Sequence, residues 1–245
     1  MNPCLLIPVY NHGEPLKGVL AELDNFGLPC LLVDDGSDEK TKTTLKNLNE
    51  RYSWVDLLTR PKNRGKGAAL KDGYRRAHLL GFSHVVQLDA DGQHDTSDIP
   101  QILKLIKAYP EAMVLIEPTF QNAPKLRRYG RLISYFWVWV ECCSFAIRDP
   151  LCGYRGLPLK PLIAILDRVQ CGNRMDFDPE IAVRLVWEGV SVINLPSTVL
   201  YPPEGISHFN QIWDNVLISW RHTRLVFGMI LRLPYLLGRK VEIQQ

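Results

Sequence analysis

The sequence predicts an α/β fold, a mostly parallel sheet flanked by helices. Two observations carry that expectation. In the first half of the chain short apolar runs alternate with amphipathic stretches whose apolar residues recur at spacings of three and four, which is the rhythm of βαβ units. The chemically active residues collect just after the apolar runs, where an open parallel sheet gathers ligands at the carboxyl ends of its strands. At 245 residues and 46% hydrophobic the chain is long enough to bury a substantial core. Its 17 Gly and 17 Pro are near ordinary usage and exclude a collagen-like or disordered chain.

The elements follow in order. Residues 5–9 form a first strand: the Leu-Leu-Ile run is short and lacks the basic flank of a leader. A helix over 16–26 returns the chain to a strand at 30–33, Cys-Leu-Leu-Val, and a helix over 40–52 to a strand at 55–59. A third helix over 67–80 precedes a strand at 84–88, and a fourth over 99–108 precedes a strand at 112–116. After Glu117 the rhythm changes. A polar, basic connection over 121–131 leads to a long apolar helix through 132–147, broken at Glu141 and Ser144, then to a Gly-rich turn at 151–157. Helices near 158–167 and 179–188 and a strand at 191–195 complete a body of residues 1–205, and residues 206–245 form a separate tail. No apolar stretch reaches the roughly 18 residues of a spanning helix.

Charge and cysteine usage narrow the class. A net charge of +3 is too mild for a protein that tracks nucleic acid by bulk attraction. Six cysteines, at 4, 30, 142, 143, 152 and 171, include no CxxC pair and no zinc-ligand spacing, so they read as reduced, mostly buried thiols of a cytoplasmic protein.

Three loops carry candidate chemistry. After the fourth strand comes Asp89-Ala90-Asp91-Gly92-Gln93-His94-Asp95. Two carboxylates at a sheet edge suit Mg²⁺ or Mn²⁺, which take one or two carboxylates and complete the octahedron with substrate phosphate and water. An acidic surface turn is the plain alternative; an EF-hand needs further ligands that are absent, and a phosphatase nucleophile normally opens its domain. After the second strand comes Asp34-Asp35-Gly36-Ser37, whose acids either cap the next turn or accept hydrogen bonds from a ribose or base. After the third comes Asn63-Arg64-Gly65-Lys66-Gly67 at a helix start, either an anion site or a tight packing turn. It lacks Walker A spacing.

In combination the motifs resemble one family. Ile7-Pro8-Val9-Tyr10-Asn11, Val33-Asp34-Asp35-Gly36-Ser37, Asn63-Arg64-Gly65-Lys66-Gly67, Asp89-Ala90-Asp91-Gly92-Gln93-His94, Asp149-Pro150-Leu151-Cys152-Gly153-Tyr154-Arg155 and Phe177-Asp178-Pro179-Glu180 together resemble family 2 glycosyltransferases with the GT-A fold, over about residues 5–205. Within the family the chain looks most like dolichyl- or polyprenyl-phosphate mannose and glucose synthases and short bacterial lipid- and aryl-polyene-associated relatives.

The resemblance implies an inverting transfer of a hexose from a UDP- or GDP-linked donor. It places Pro8, Tyr10, Asn11, Asp35, Lys66 and Asp89 at the nucleotide sugar. Asp89, Asp91 and Gln93 would hold the metal on the diphosphate, where a dication neutralises the leaving group. Asp178 is the expected base for a hydroxyl acceptor, with Asp176 and Glu180 as alternatives. A lipid-phosphate acceptor needs cations instead, from Lys125, Arg127, Arg128, Arg131 and Arg155, with Arg128 and Arg131 nearest the positions that lipid-phosphate synthases use; His208 would lie near the acceptor. Ile116-Glu117-Pro118 departs from the Gly-x-Arg that many relatives carry there, so the acceptor side is expected to be reshaped.

The tail sets Phe209, Ile212, Trp213, Val216, Leu217 and Trp220 on one helical face and turns apolar nearly all round beyond Leu225. Arg221, Arg224, Arg232, Arg239 and Lys240 against Asp214 and Glu242 account for the chain's whole excess of +3. Indoles, arginines and a short apolar run suggest a helix lying in a membrane interface, peripheral on the inner face of the cytoplasmic membrane; packing on the body or on another subunit is the alternative. Two other functions stand beside this one: the same donor chemistry with a soluble or polysaccharide acceptor, and a catalytically silent nucleotide-sugar-binding subunit.

Overall fold

The computed structural model describes the backbone of residues 1–120, 125–199 and 213–238, and the side chains of these residues apart from 120, 125–130, 199 and 213–215. Strands β1 (Pro3–Val9), β2 (Cys30–Asp34), β3 (Val55–Thr59), β4 (His84–Gln87), β5 (Met113–Phe120), β6 (Arg155–Pro158) and β7 (Val192–Val199) form one sheet in the order β3-β2-β1-β4-β6-β5-β7. Helices α1 (Gly13–Leu23), α2 (Glu39–Arg51), α3 (Lys66–Leu79) and α4 (Ile99–Ala108) connect the first five strands. Then come α5 (Lys125–Cys142), α6 (Leu159–Arg168), α7 (Phe177–Trp187), α8 (Trp213–Ile230) and α9 (Leu233–Gly238).

The strands are apolar on both faces because both faces are covered. Along β1, Cys4 and Leu6 join a core with α3, α5, α6 and α7, whereas Leu5, Ile7 and Val9 join a core with α1, α2 and α4. This period of two places one half of each strand in each core. The result is the α/β architecture that the sequence predicts, with β3 and α4 on the expected bounds.

Three differences have physical causes. Strand β6 takes the last residues of the expected Gly-rich turn and Pro158, where a helix is expected; it runs antiparallel between β4 and β5, pairing Gln87 with Arg155 and Leu115 with Arg155. Its four residues show no apolar alternation because Arg155 is wholly buried and Gly156 admits α4, where a Cβ would come 2.8 Å from Ile106 Cδ1. Strands β5 and β7 outrun their expected ends, pairing Glu117 with Pro196 and Pro118 with Ser197. Pro196 is tolerated because β7 is an edge strand, and Pro118 because β6 pairs with β5 only at Val114 and Leu115. Helix α5 begins within the expected basic connection and runs through Glu141, a buried residue facing His222 Nδ1 of α8 at 2.8 Å.

The described part of the tail packs on the body, α8 against α5 and α7. Ile218, His222, Leu225 and Met229, spaced four, three and four, form the buried stripe of α8, and Arg232 lies over the Trp187 ring at 4.7 Å. Val216, Trp220 and Phe227 lie on the exposed side. Among the described residues no helix is long and apolar enough to cross a membrane.

Candidate active site at the carboxyl edge of the sheet

Strand β4 delivers the first carboxylates. The Leu88 N–H still donates to Leu6 O at 3.0 Å, so the chain leaves the sheet directly into Asp89. Asp89 Oδ1 lies 2.6 Å from Lys66 Nζ, and Asp89 Oδ2 lies 3.4 Å from His94 Nε2. Lys66 opens α3, and its ammonium also lies 3.1 Å from Asp178 Oδ2 in the first turn of α7. One cation thus joins β4, α3 and α7.

The electrostatics of this cluster are lopsided. Burial works against the charged form of Lys66, but Asp178 and Asp89 outweigh it and hold the ammonium above its ordinary pKa. Burial likewise opposes the charge on Asp89, yet Lys66 and His94 hold its carboxyl well below the usual range. For Asp91, burial and then the negative charge of Asp89 push the carboxyl up. Asp91 Oδ1 accepts from the Gln93 N–H at 3.1 Å. The cations of the cluster thus serve Asp89, and Asp91 is left buried beside a negative charge.

Among the described residues no group of three or more His, Cys, Asp or Glu forms an all-protein metal cage. The pair suits a cation that takes only one or two carboxylates and completes its shell with phosphate and water. Gly153 keeps space open there: a Cβ at this position would stand 2.4 Å from Asp89 Oδ2 and 2.6 Å from Lys66 Nζ. Gly153→Ala is expected to destabilise the fold by about 1–3 kcal/mol through overpacking and to weaken Mn²⁺ binding; chemical denaturation and Mn²⁺-dependent thermal shift read the two effects. Unchanged Mn²⁺ binding would refute the reading of Gly153.

Three carboxylates near α7 separate by their surroundings. Asp178 is 4% exposed and accepts from Gln87 Nε2 at 3.2 Å. The Tyr74 hydroxyl donates to Gln87 Oε1 in turn. Asp176 and Glu180 instead pair with Arg221, Nη2 to Asp176 Oδ2 at 3.0 Å and Nε to Glu180 Oε2 at 3.1 Å. Glu180 also holds Arg184 at 2.8 Å. Only Asp178 of the three ion-pairs with Lys66 among the described contacts.

The other predicted residues fall in several places. Pro8 and Tyr10 lie half-buried at the end of β1, and Asn11, at φ 55°, accepts from the Asp38 N–H at 2.9 Å. Asp35 is 2% exposed; Arg60 and the N–H groups of Arg64 (3.1 Å) and Gly65 (2.7 Å) donate to it. It therefore knits the loop after β2 to the loop before α3, at a helix start where negative charge is favoured. Arg155, expected at the acceptor, is 0% exposed and donates to Cys152 O, Pro150 O and Asp178 O at 2.8–2.9 Å. It supports Asp178 from behind and presents nothing to solvent. Arg131 pairs with Asp149, which also accepts from the Tyr135 hydroxyl. The Arg128 side chain and His208 lie outside the described residues.

The sequence reading gives no role to Gln87, Tyr74 or Arg60, and takes Asp34 only together with Asp35. Gln87 is a lone amide in an apolar strand, which was its signal. Asp34 Oδ2 is buried without a hydrogen-bond partner, and no one-dimensional pattern separates it from Asp35.

A mostly parallel sheet whose carboxyl edge gathers paired acids, a half-buried lysine and a glycine-started helix defines a class, an α/β enzyme that takes its ligand at the ends of the strands. The chain belongs to glycosyl transferase family 2, whose family model matches residues 4–152. It is 24% identical to a UDP-N-acetylglucosamine–dolichyl-phosphate N-acetylglucosaminyltransferase of Methanococcus voltae, over 93% of this chain and 97% of that one. It is 30% identical to a dolichyl-phosphate beta-glucosyltransferase of Trichomonas vaginalis, over 78% of this chain and 64% of that one. Among solved structures, a mannosyltransferase from Pyrobaculum calidifontis in complex with GDP-Man and Mn²⁺ superposes with a TM-score of 0.62 at 19% identity, covering 94% of this chain and 64% of that one. Glucosyl-3-phosphoglycerate synthase from Mycobacterium tuberculosis, in complex with Mn²⁺, UDP-glucose and phosphoglyceric acid, gives 0.62 at 14% identity over 93% and 79%.

Proposed function

We propose that this glycosyltransferase moves a hexose, with inversion, from a nucleoside-diphosphate sugar to a polyprenyl-phosphate type of lipid acceptor at the cytoplasmic face of a membrane. The observation that carries the reading is the Lys66 bridge, which sets Asp178 of α7 beside Asp89 of the β4 loop, at 3.1 and 2.6 Å from one ammonium. A donor-side acid and an acceptor-side acid then flank one pocket.

Asp89, Asp91 and Gln93 would hold Mg²⁺ or Mn²⁺, which supplies neutralisation of the diphosphate as it leaves. Lys66 adds a positive charge on the same side. Pro8, Tyr10 and Asn11 line the proposed nucleotide pocket, and Asp35 fixes its floor. Asp178 takes the proton that a hydroxyl, or the monoanion of a phosphate, still carries, and the freed oxygen displaces the nucleotide at the anomeric carbon. Arg131 and Arg128 supply the acceptor-side charge.

The membrane reading rests on large apolar side chains left exposed on two helices. Leu132, Ile133, Phe136 and Trp137 of α5 are 38–63% exposed, and Trp220 and Phe227 of α8 are 60% and 66% exposed. Helices α5 and α8 pack together. All six cysteines are free thiols, as a reducing compartment requires.

The test uses the full chain with Mn²⁺, a panel of UDP-glucose, UDP-N-acetylglucosamine and GDP-mannose, and dolichyl phosphate in anionic vesicles. Transfer from one donor to dolichyl phosphate, lost with chelator, is the expected result. Trp220→Ser with Phe227→Ser should reduce vesicle co-sedimentation at least several-fold. No transfer from any donor, or transfer to a soluble acceptor alone, refutes the proposal.

A further inference from the structure

Among the described residues, Arg221 of the tail helix α8 reaches the turn that carries Asp178. Arg221 is 12% exposed and donates to two acids of α7 that are themselves 4% and 0% exposed. Its Nε and Nη2 lie 3.1 and 3.0 Å from Asp176 Oδ2. Its Nη1 lies 3.3 Å from Glu180 Oε1. Asp176 and Glu180 are four residues apart and share one face of the helical turn. Asp178, midway between them, points about 200° away at 100° per residue. Arg221 therefore grips the outer face of the turn whose inner face presents Asp178 to Lys66.

The same turn is fastened to the loop that organises Asp35. Glu180 Oε2 accepts from the Gly172 N–H at 2.7 Å, and Lys71 Nζ donates to Cys171 O at 2.9 Å and Asn173 Oδ1 at 2.6 Å. Asn173 O accepts from the Ala68 N–H at 2.9 Å. A Cβ on Gly65, whose N–H holds Asp35, would come 2.5 Å from that carbonyl. Little slack remains between α8, the 171–176 loop and the start of α3. Gly172 is similarly confined, since a Cβ there would meet Asp176 Oδ2 at 2.1 Å.

We infer that Arg221 is a positioning residue for Asp178, so that α8 is a working part of the catalytic unit as well as a bearer of the apolar surface. The inference rests on the reading of Asp178 as the catalytic carboxylate. Removing the guanidinium leaves the buried Asp176 without its cation and Glu180 with Arg184 alone, and the uncompensated charge shifts the turn that carries Asp178. A displacement near 1 Å at a reacting group costs on the order of 10²-fold in rate. The donor side, built on β1, β2 and β4, is left in place.

The experiment compares wild type with Arg221→Met and Arg221→Lys in the full chain. Arg221→Met should lower kcat for transfer to dolichyl phosphate by about 10²-fold, with the affinity for UDP or GDP plus Mn²⁺ within two-fold of wild type. Arg221→Lys, or guanidinium ion added to Arg221→Met, should recover part of kcat. Hydrogen exchange gives a readout independent of activity: the amides of Phe177, Asp178, Glu180 and Ile181 should exchange faster in Arg221→Met while β1 and β4 stay unchanged. Wild-type kcat in Arg221→Met, or equal loss of nucleotide affinity and kcat, overturns the inference. If Arg221→Met does not fold, Asp176→Asn takes its place under the same criteria. If wild type itself shows no transfer, the functional reading fails, and the exchange at 177–181 still decides whether Arg221 holds the turn.

Discussion

Asp91→Asn is expected to lower sugar transfer by about 10³-fold or more, since a bound dication contributes several kcal/mol of charge stabilisation, and to do so without weakening the metal-free fold. The two halves of this result have one cause. Burial and the neighbouring Asp89 push the Asp91 carboxyl up, so its ionised form is disfavoured in the folded chain. A group whose folded pKa is raised contributes stability below its unfolded value and loses that contribution as pH rises through the folded value. At neutral pH the charged Asp91 therefore works against the fold, and Asn relieves it. Without metal, Asp91→Asn should melt at or above the wild-type temperature at neutral pH, with the difference shrinking toward acid. With Mn²⁺ and nucleotide the order reverses, because only wild type gains stability from ligand binding. Thermal melts with Mn²⁺ and with EDTA, beside transfer assays, read every part. A variant that retains transfer, or that melts well below wild type without metal, contradicts the assignment.

The second large effect is that of Asp178→Asn, and its pH profile reports the acceptor. Loss of a general base ordinarily costs about 10²–10⁴-fold. A phosphate monoester has its second ionisation near pH 6, so a lipid-phosphate acceptor sheds its own proton as pH rises. The deficit of Asp178→Asn should then be large at pH 5.5 and shrink by pH 8, whereas a hydroxyl acceptor keeps the deficit across the range. Asn preserves the shape that receives Gln87 Nε2 at 3.2 Å but removes one of the two charges on Lys66. Nucleotide and Mn²⁺ affinity should change little, as Asp89 still holds the ammonium. Wild-type rates at pH 5.5 would show that Asp178 handles no proton.

Most of the fold is legible in the sequence because its information is local. Apolar runs and amphipathic spacing place β1 to β4 and their helices within a few residues, and the carboxyl-edge rule points to Asp89, Asp91 and Asp35 before any coordinates exist. What stays hidden depends on partners distant in sequence. Arg155 reads as a surface cation, and its burial follows only from the carbonyls of Pro150, Cys152 and Asp178 closing around it. The separation of Asp178 from Asp176 and Glu180 needs Arg221, which arrives 41 or more residues later. The tail's two faces have a similar origin. The apolar face that the sequence sets on α8 holds Val216 and Trp220, which lie exposed, and the apolar stretch beyond Leu225 cannot tell which stripe meets α5 and α7; the burial of Ile218, His222, Leu225 and Met229 fixes it.

Strand β6 has a consequence for biosynthesis. Strands emerge from the ribosome in chain order, yet β5 sits one place beyond β6 in the sheet, so β4 and β5 have no bridge until residue 158 is out. In that interval both present apolar ladders with unpaired amides, the kind of edge on which nascent chains stick to one another. The sheet then closes from its middle, and Arg155 gains its last carbonyl partner only once Asp178 has followed. Chaperone cover would matter most during that short stretch of translation.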